Sequence, residues 1–212
     1  MLHARGAQVE RLLIEGASPA EVDGALTKFG MAMGPCAMGD LAGLDVGWRI
    51  RKESGRKAPV ADAICELGRF GQKTGKGYYL YEEGSRRPIP DPEIDQLIAN
   101  VAKEQGVKRR EIDEQEIFER LMFPLINEGA KILDEGIAMR SSDIDVIYLY
   151  GYGFPVGKGG PMFYADQIGA DYIARKLNHY AEMTNDESLR PCCLLQELAD
   201  KQGRFADVKK AA

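Results

Sequence analysis

Two glycine-rich stretches and a set of recurring aspartates are the residues of this 212-residue chain whose types and spacing could do chemistry. Gly151-Tyr152-Gly153-Phe154-Pro155-Val156-Gly157 follows Ile147-Tyr148-Leu149-Tyr150, readable as a strand, and so invites comparison with a dinucleotide-phosphate loop. Such a loop needs a helix N-terminus directly after its glycines, so that free N–H groups point at the pyrophosphate. Here Lys158-Gly159-Gly160-Pro161 delays any helix, which argues against dinucleotide binding. Gly71-Gln72-Lys73-Thr74-Gly75-Lys76-Gly77 resembles a phosphate loop more closely, with Lys73 and Lys76 as cations that could meet a phosphate. It has one residue too few between its glycines, however, and Gly77 stands where a Ser or Thr would hold Mg²⁺. The better reading is a turn into the extended aromatic stretch Tyr78–Tyr81.

No nucleophile–base–orienter set can be assembled. Of the two histidines, His3 lies at the chain start and His179 in the polar stretch Asn178-His179-Tyr180, and there is no GxSxG. Cys36, Cys65, Cys192 and Cys193 contain no CxxC pair and no clustered histidine, which excludes a zinc site and a disulfide scaffold; all four are expected as small core residues. A metal site is not expected.

Stepping outward, 44% hydrophobic residues suffice for a buried core, and 28 Lys+Arg against 33 Asp+Glu give a net charge of −5. That balance argues against nucleic acid or an anionic membrane as partner, since both are bound by clustered basic residues. The basic tract Lys108-Arg109-Arg110 runs into Glu111 and Asp113 and reads as a solvated helix entry. No apolar run reaches the roughly 20 residues that cross a bilayer, and no apolar stretch of a signal peptide follows Met1. The expected compartment is the cytoplasm, or an organelle entered folded.

Helix punctuation dominates the rest. Val9, Leu12, Leu13 and Ala17 share a face of a helix ending near Gly16, and Ser18-Pro19-Ala20-Glu21 is a capping box opening a second helix that stops at Gly30. A third is expected from Pro35 to about Ser54, burying Leu41, Leu44, Val46 and Ile50; a short fourth opens at Pro59 with Ile64 and Leu67 inward. Asp91-Pro92-Glu93 starts another, closed by Gly106. Asp113 and Glu116 cap a longer one that carries Pro124, and two more fit Pro161–Ala181 and Pro191–Gln202. The class is all-α. Charged, proline-bearing Glu82–Pro90 is the best linker, so the expected division is residues 1–84, a linker at 85–92, and residues 93–212.

The strongest signal is self-similarity. Gly34-Pro35…Asp40…Gly43-Leu44-Asp45 and Gly160-Pro161…Asp166…Gly169-Ala170-Asp171 both read G-P-x4-D-x2-G-x-D, at an offset of 126. Upstream, Glu15-Gly16 and Val22-Asp23 parallel Glu135-Gly136 and Ile144-Asp145; Asp23 leads to Phe29-Gly30 as Asp145 leads to Gly153-Phe154. The paired aspartates lie five residues apart, off any common helix stripe, so capping and turn geometry are favoured over an acid–base pair. A two-copy motif of this kind indicates a duplicated helical bundle.

These residues carry a resemblance. Glu15-Gly16, Asp23, Phe29–Pro35 and Asp40–Asp45 resemble the C-terminal helical domain of 3-hydroxyacyl-CoA dehydrogenases, and Gly71–Tyr79 is similar to the signature closing that domain. A second, degenerate copy follows, an arrangement that resembles the tandem domains of multifunctional enoyl-CoA hydratase/3-hydroxyacyl-CoA dehydrogenases. The resemblance implies a fold like the C-terminal domain of 6-phosphogluconate dehydrogenase, and a parent enzyme of fatty-acid β-oxidation that oxidises (3S)-3-hydroxyacyl-CoA with NAD. The family's NAD-binding domain and His–Glu pair have no counterpart here, so no catalytic residue carries over, NAD is expected outside this chain, and the fragment alone is expected to be inactive. What carries over is a substrate-side wall: Met33, Gly34 and Pro35 resemble the loop bordering the acyl group. Implied partners are the N-terminal NAD-binding domain, the acyl-CoA substrate, and a second copy through helical faces; the implied compartment is cytoplasmic in bacteria and peroxisomal in eukaryotes. The alternative reading is a free-standing scaffolding or dimerisation module, with an acyl-CoA-binding domain acting alone as a third.

Overall fold

The structure, a computed structural model, describes residues 1–208. They form eleven α-helices, four short 3₁₀ turns and one two-residue hairpin, grouped in two compact units. The all-α expectation holds. Residues Gly6–Lys28 and Met33–Ile117 make the first unit; Met1–Arg5, Phe29–Ala32 and the chain from Phe118 onward make the second.

Helices α1 (Leu2–Glu15), α2 (Pro19–Phe29), α3 (Pro35–Ala42), α4 (Leu44–Ser54), α5 (Pro59–Glu66) and α6 (Pro92–Glu104) come first. Leu12, Leu13, Val22, Leu26, Cys36, Val60, Ile64, Tyr78, Tyr79, Ile94 and Ile98 are the buried core of the first unit. The capping box at α2 forms as read: the Glu21 backbone N–H donates to Ser18 Oγ at 3.2 Å, and Ser18 N–H donates to the Glu21 carboxylate at 2.7 Å. Strand β1 (Tyr79–Leu80) pairs antiparallel with β2 (Ile89–Pro90), Tyr79 opposite Pro90. The segment expected as linker ends on an anchored residue. Asp91 is buried, caps α6 by accepting from Glu93 N–H at 3.0 Å, and pairs with the buried Arg69 at 2.6 Å. Arg69 in turn donates to the Gly77 carbonyl at 3.0 Å, so α6 is fastened to the turn that precedes β1.

Three expectations are corrected in this unit. The helix expected from Pro35 to Ser54 is two helices, broken at Gly43, whose φ of +92° no side-chain-bearing residue adopts cheaply. The apolar spacing does not mark one inward face: Leu41 on α3 and Val46 and Ile50 on α4 are 47%, 56% and 52% exposed. Leu67, expected inward, lies beyond the end of α5 and is 65% exposed. Lys108-Arg109-Arg110 is no helix entry either, for the next helix starts at Glu114. Arg109 instead donates to the carbonyls of Leu13 and Gly16 at 3.1 and 3.0 Å, and Arg110 N–H donates to the Glu15 carbonyl at 2.8 Å. The tract satisfies the orphan carbonyls at the C-terminus of α1.

The second unit is built on α7 (Glu114–Asp134, running through Pro124), α8 (Ser141–Gly151), α9 (Pro161–Ile168), α10 (Ala170–Thr184) and α11 (Cys193–Lys201). Leu121, Phe123, Ile126, Leu133, Ile144, Tyr148, Met162, Ile173, Leu177, Leu195 and Phe205 are its buried core. Ile147–Tyr150, readable as a strand, lies inside α8. The helix expected over Pro161–Ala181 is also broken in two, at Gly169 with φ +93°, the repeat counterpart of Gly43. Glu119 is fully buried here; it accepts from the hydroxyls of Tyr172 and Tyr180 at 2.5 Å and pairs with Lys176 at 3.0 Å, so its charge is satisfied rather than isolated.

Candidate functional site

Met33, Gly34 and Pro35 join α2 to α3. Pro35 occupies the first helical position, where its fixed φ is already helical and its missing N–H costs nothing. The next two N–H groups, of Cys36 and Ala37, donate to the two oxygens of Asp23 at 2.8 and 2.9 Å. Asp23 lies thirteen residues upstream on α2, so this is a cap supplied across the fold rather than by the residue before the helix. Its carboxylate also accepts from the Tyr79 hydroxyl at 2.9 Å, which ties β1 to the same point. Burial pushes the Asp23 carboxyl above its ordinary range, and the two backbone donors and the Tyr79 hydroxyl oppose that shift. Gly34 is buried against this carboxylate: a Cβ there would lie 2.3 Å from Asp23 Cβ, Cγ and Oδ1. Met33 and Pro35 are half-buried. The loop is therefore a short apolar segment with a fixed backbone, and the N-terminus of α3 is already occupied by the chain's own anion.

Three further aspartates of the repeats also bind backbone N–H groups. Asp40 accepts from the N–H groups of Tyr78 and Tyr79 at 2.9 and 3.0 Å and from the Tyr81 hydroxyl at 3.0 Å; burial outweighs these donors and pushes it up to about 6. In the second copy Asp145 accepts from Met162 N–H at 2.7 Å and Phe163 N–H at 3.1 Å, with burial again pushing it up to about 6. Asp166 accepts from Phe205 and Ala206 N–H at 2.7 and 3.1 Å, as Asp40 does from Tyr78 and Tyr79. Each repeat thus carries two carboxylates that bind backbone N–H groups in equivalent places; Asp23 and Asp145 do so at the starts of α3 and α9, and Asp40 at β1. Asp45 faces Lys73 and Arg49, and the Lys73 hydrogen bond holds its carboxyl below the usual range.

A further cap escaped sequence reading. Glu10 of α1 accepts from Val60 and Ala61 N–H at 2.9 and 3.1 Å, closing the N-terminus of α5 from 50 residues away. Burial pushes Glu10 up to about 7, against the pull of those two donors and of Arg51. No local pattern could have flagged it, since Glu10 sits outside the repeated motif and the N–H groups it accepts from lie 50 and 51 residues along the chain.

The glycine loops do not fit a dinucleotide. The N–H groups of Gly71, Thr74, Gly75, Lys76 and Gly77 all donate to carbonyls between Gly71 and Tyr79, so most of the loop's donors are turned inward on its own turn. Lys73 is paired with Asp45, and β1 rather than a helix follows. In the other loop, Tyr152 and Phe154 N–H both donate to the Tyr148 carbonyl, closing the end of α8. Among the described residues no three His, Cys, Asp or Glu side chains come together in a way that could hold a metal ion. His179 is exposed on α10. Cys36 and Cys65 are buried as expected, but Cys192 is half-buried and Cys193 exposed, because they lie at the start of α11, where the chain turns at the surface. Among the described residues no helix is long and apolar enough to cross a membrane.

Comparison with known proteins bears on this architecture. A family model described as 3-hydroxyacyl-CoA dehydrogenase, C-terminal domain, matches residues 1–81 and again residues 117–209. The peroxisomal bifunctional enzyme of Danio rerio is 46% identical over 90% of this chain and 29% of its own length. The peroxisomal bifunctional enzyme of Homo sapiens is 43% identical over 95% of this chain and 31% of its own length. The solved dehydrogenase part of multifunctional enzyme 1 from C. elegans superposes with a TM-score of 0.75 at 32% identity, over 92% of this chain and 45% of that one. The chain therefore spans about a third of the curated relatives it matches.

Proposed function

The chain belongs to the 3-hydroxyacyl-CoA dehydrogenase C-terminal domain family, and on that premise we propose that it is the helical, acyl-side part of an NAD-dependent (3S)-3-hydroxyacyl-CoA dehydrogenase of fatty-acid β-oxidation. The parent enzyme carries an enoyl-CoA hydratase in the same polypeptide, a reading supported by relatives that are bifunctional and multifunctional enzymes. Of the two compartments the sequence allowed, those relatives favour the peroxisome over the cytoplasm. The nucleotide is held by an N-terminal domain outside these residues, since neither glycine loop runs directly into an α-helix.

The observation that carries the site reading is the construction of the Met33-Gly34-Pro35 loop. The first turn of α3 directly after it is pinned by Asp23, which also accepts from Tyr79, and the loop's two side chains are left partly open. An apolar segment with no free charge suits a thioester acyl chain, because it excludes water without offering a competing hydrogen bond. Met33 and Pro35 contact the acyl part of the substrate, and Gly34 between them makes room for the Asp23 carboxylate behind the loop.

Calorimetric titration of the isolated 212 residues with NADH, alongside the full-length enzyme, tests the division of labour. The full-length enzyme is expected to bind NADH and to reduce acetoacetyl-CoA, and the isolated chain to do neither. Micromolar NADH binding by the chain alone would overturn it.

A further inference from the structure

The two copies of the repeat part company where α3 turns into α4. Val46 and Ile50 lie one turn apart on α4, on one stripe of that helix. Leu41 sits in the last turn of α3, two residues before the break at Gly43. All three are exposed, and all belong to the first unit. Their counterparts at the repeat offset of 126 are Gln167, Tyr172 and Lys176. Those side chains are served by water or by their own copy. Gln167 is exposed, the Tyr172 hydroxyl donates to Glu119 at 2.5 Å, and the Lys176 ammonium pairs with Glu119 at 3.0 Å. The second copy is thus an internal reference for how these positions look when the copy satisfies them itself. In the first copy the same three positions are aliphatic and bare, a pattern that marks a surface made to be covered.

The rest of the enzyme supplies the cover. This chain accounts for 45% of the solved dehydrogenase part it superposes on, so more than half of that protein lies outside the matched region. Leu41 and the Met33-Gly34-Pro35 loop stand at opposite ends of α3, with Leu41 about 9 Å along the axis from Pro35. Hydride transfer requires contact between the acyl group bordered by that loop and a nicotinamide held elsewhere, so the nucleotide-carrying domain has to close on this side of the unit. We propose that Leu41, Val46 and Ile50 are the docking surface for the N-terminal nucleotide-binding domain of the same polypeptide. Arg49, exposed between Val46 and Ile50, gives the apolar stripe a polar rim. The proposal rests on the reading that the nucleotide is held N-terminal to this chain.

The test uses the full-length enzyme. Benzoylphenylalanine is placed at position 46 and, separately, at position 50, and photocrosslinks are mapped by mass spectrometry. Both are expected to cross-link to the N-terminal nucleotide-binding domain of the same polypeptide. Cross-links confined to the hydratase region or to a second polypeptide, or none from a folded variant, overturn the proposal. If neither variant folds, hydroxyl-radical footprinting of the wild type decides, with each residue normalised to its labelling in urea-unfolded enzyme. Val46 and Ile50 protected as fully as the buried Val60 are the expected result, and any lesser protection refutes it. Titration of the full-length enzyme with NADH separates the two levels. If NADH binds while the cross-links go elsewhere, the docking surface is refuted and the functional reading stands. If NADH does not bind, that reading fails and the proposal with it.

Discussion

Gly34 and Asp23 should behave as one interlocking pair, and a double-mutant cycle on them tests the packing argument quantitatively. Gly34 has φ −79° and ψ 166°, ordinary values for alanine, so Gly34→Ala carries no backbone strain. Its whole cost is the collision of the new methyl with Asp23, which an ideal Cβ would meet at 2.3 Å. Overpacking of this kind costs about 1–3 kcal/mol, and more where the methyl also displaces the carboxylate from its donors. Asp23→Gly removes the acceptor for two backbone N–H groups and the Tyr79 hydroxyl. It is expected to cost roughly 3–5 kcal/mol, with about 1 kcal/mol more for glycine inside α2. In the double variant the methyl enters the space vacated by the carboxylate, so it should be no less stable than Asp23→Gly alone. The coupling energy is then at least about 2 kcal/mol. Urea denaturation followed by circular dichroism gives all four corners of the cycle. Additive costs, or a Gly34→Ala variant within about 0.5 kcal/mol of the wild type, would refute the reasoning. The equivalent cycle on Asp145 and Gly160 should be rescued only in part, because Gly160 has φ +103° and alanine remains strained there.

Glu10 is raised from 4.5 to about 7 in the folded chain, so the protein binds that proton more tightly folded than unfolded. Its contribution is present below the unfolded value and lost as pH rises through about 7; stability should fall over that window by roughly 3 kcal/mol from this group, and Glu10→Gln should flatten the slope of urea midpoint against pH. Arg109→Ala strips two donors from the carbonyls that end α1 and should destabilise by about 1–3 kcal/mol, whereas a solvated arginine would cost less than about 0.5 kcal/mol. In the native chain Cys193 should react with an aromatic disulfide reagent within minutes while Cys36 and Cys65 react only on unfolding, as burial pushes both thiols up; prompt labelling of Cys36 would contradict its place in the core.

What the sequence made legible was whatever is local or repeated. The capping box at Ser18, the turn at Gly71–Gly77 and the doubled G-P-x4-D-x2-G-x-D motif could be read because proline, glycine and aspartate carry backbone requirements in themselves. The aspartates could be assigned to capping, but not to their partners. Asp40 reaches Tyr78 across 38 residues and Glu10 reaches Val60 across 50, distances over which no periodicity carries information. The expected helices through Gly43 and Gly169 failed because apolar spacing continues on both sides of each glycine, while the left-handed backbone at that one residue redirects the chain. Lys108-Arg109-Arg110 looked solvated because the carbonyls it serves belong to a helix ending more than 90 residues earlier. The Met33–Pro35 loop was found through resemblance alone; its rigidity became visible only once Asp23 and Tyr79 were seen to meet on it.

The most direct measurement is photolabelling of the full-length enzyme with a 3-oxoacyl-CoA that carries a diazirine on its acyl chain, followed by peptide mapping. Label on the tryptic peptide Phe29–Arg49, suppressed by excess unmodified substrate and weakened in Met33→Ala, is the expected result. Substrate-protected labelling confined to peptides outside residues 1–208 would contradict an acyl-side role for this chain.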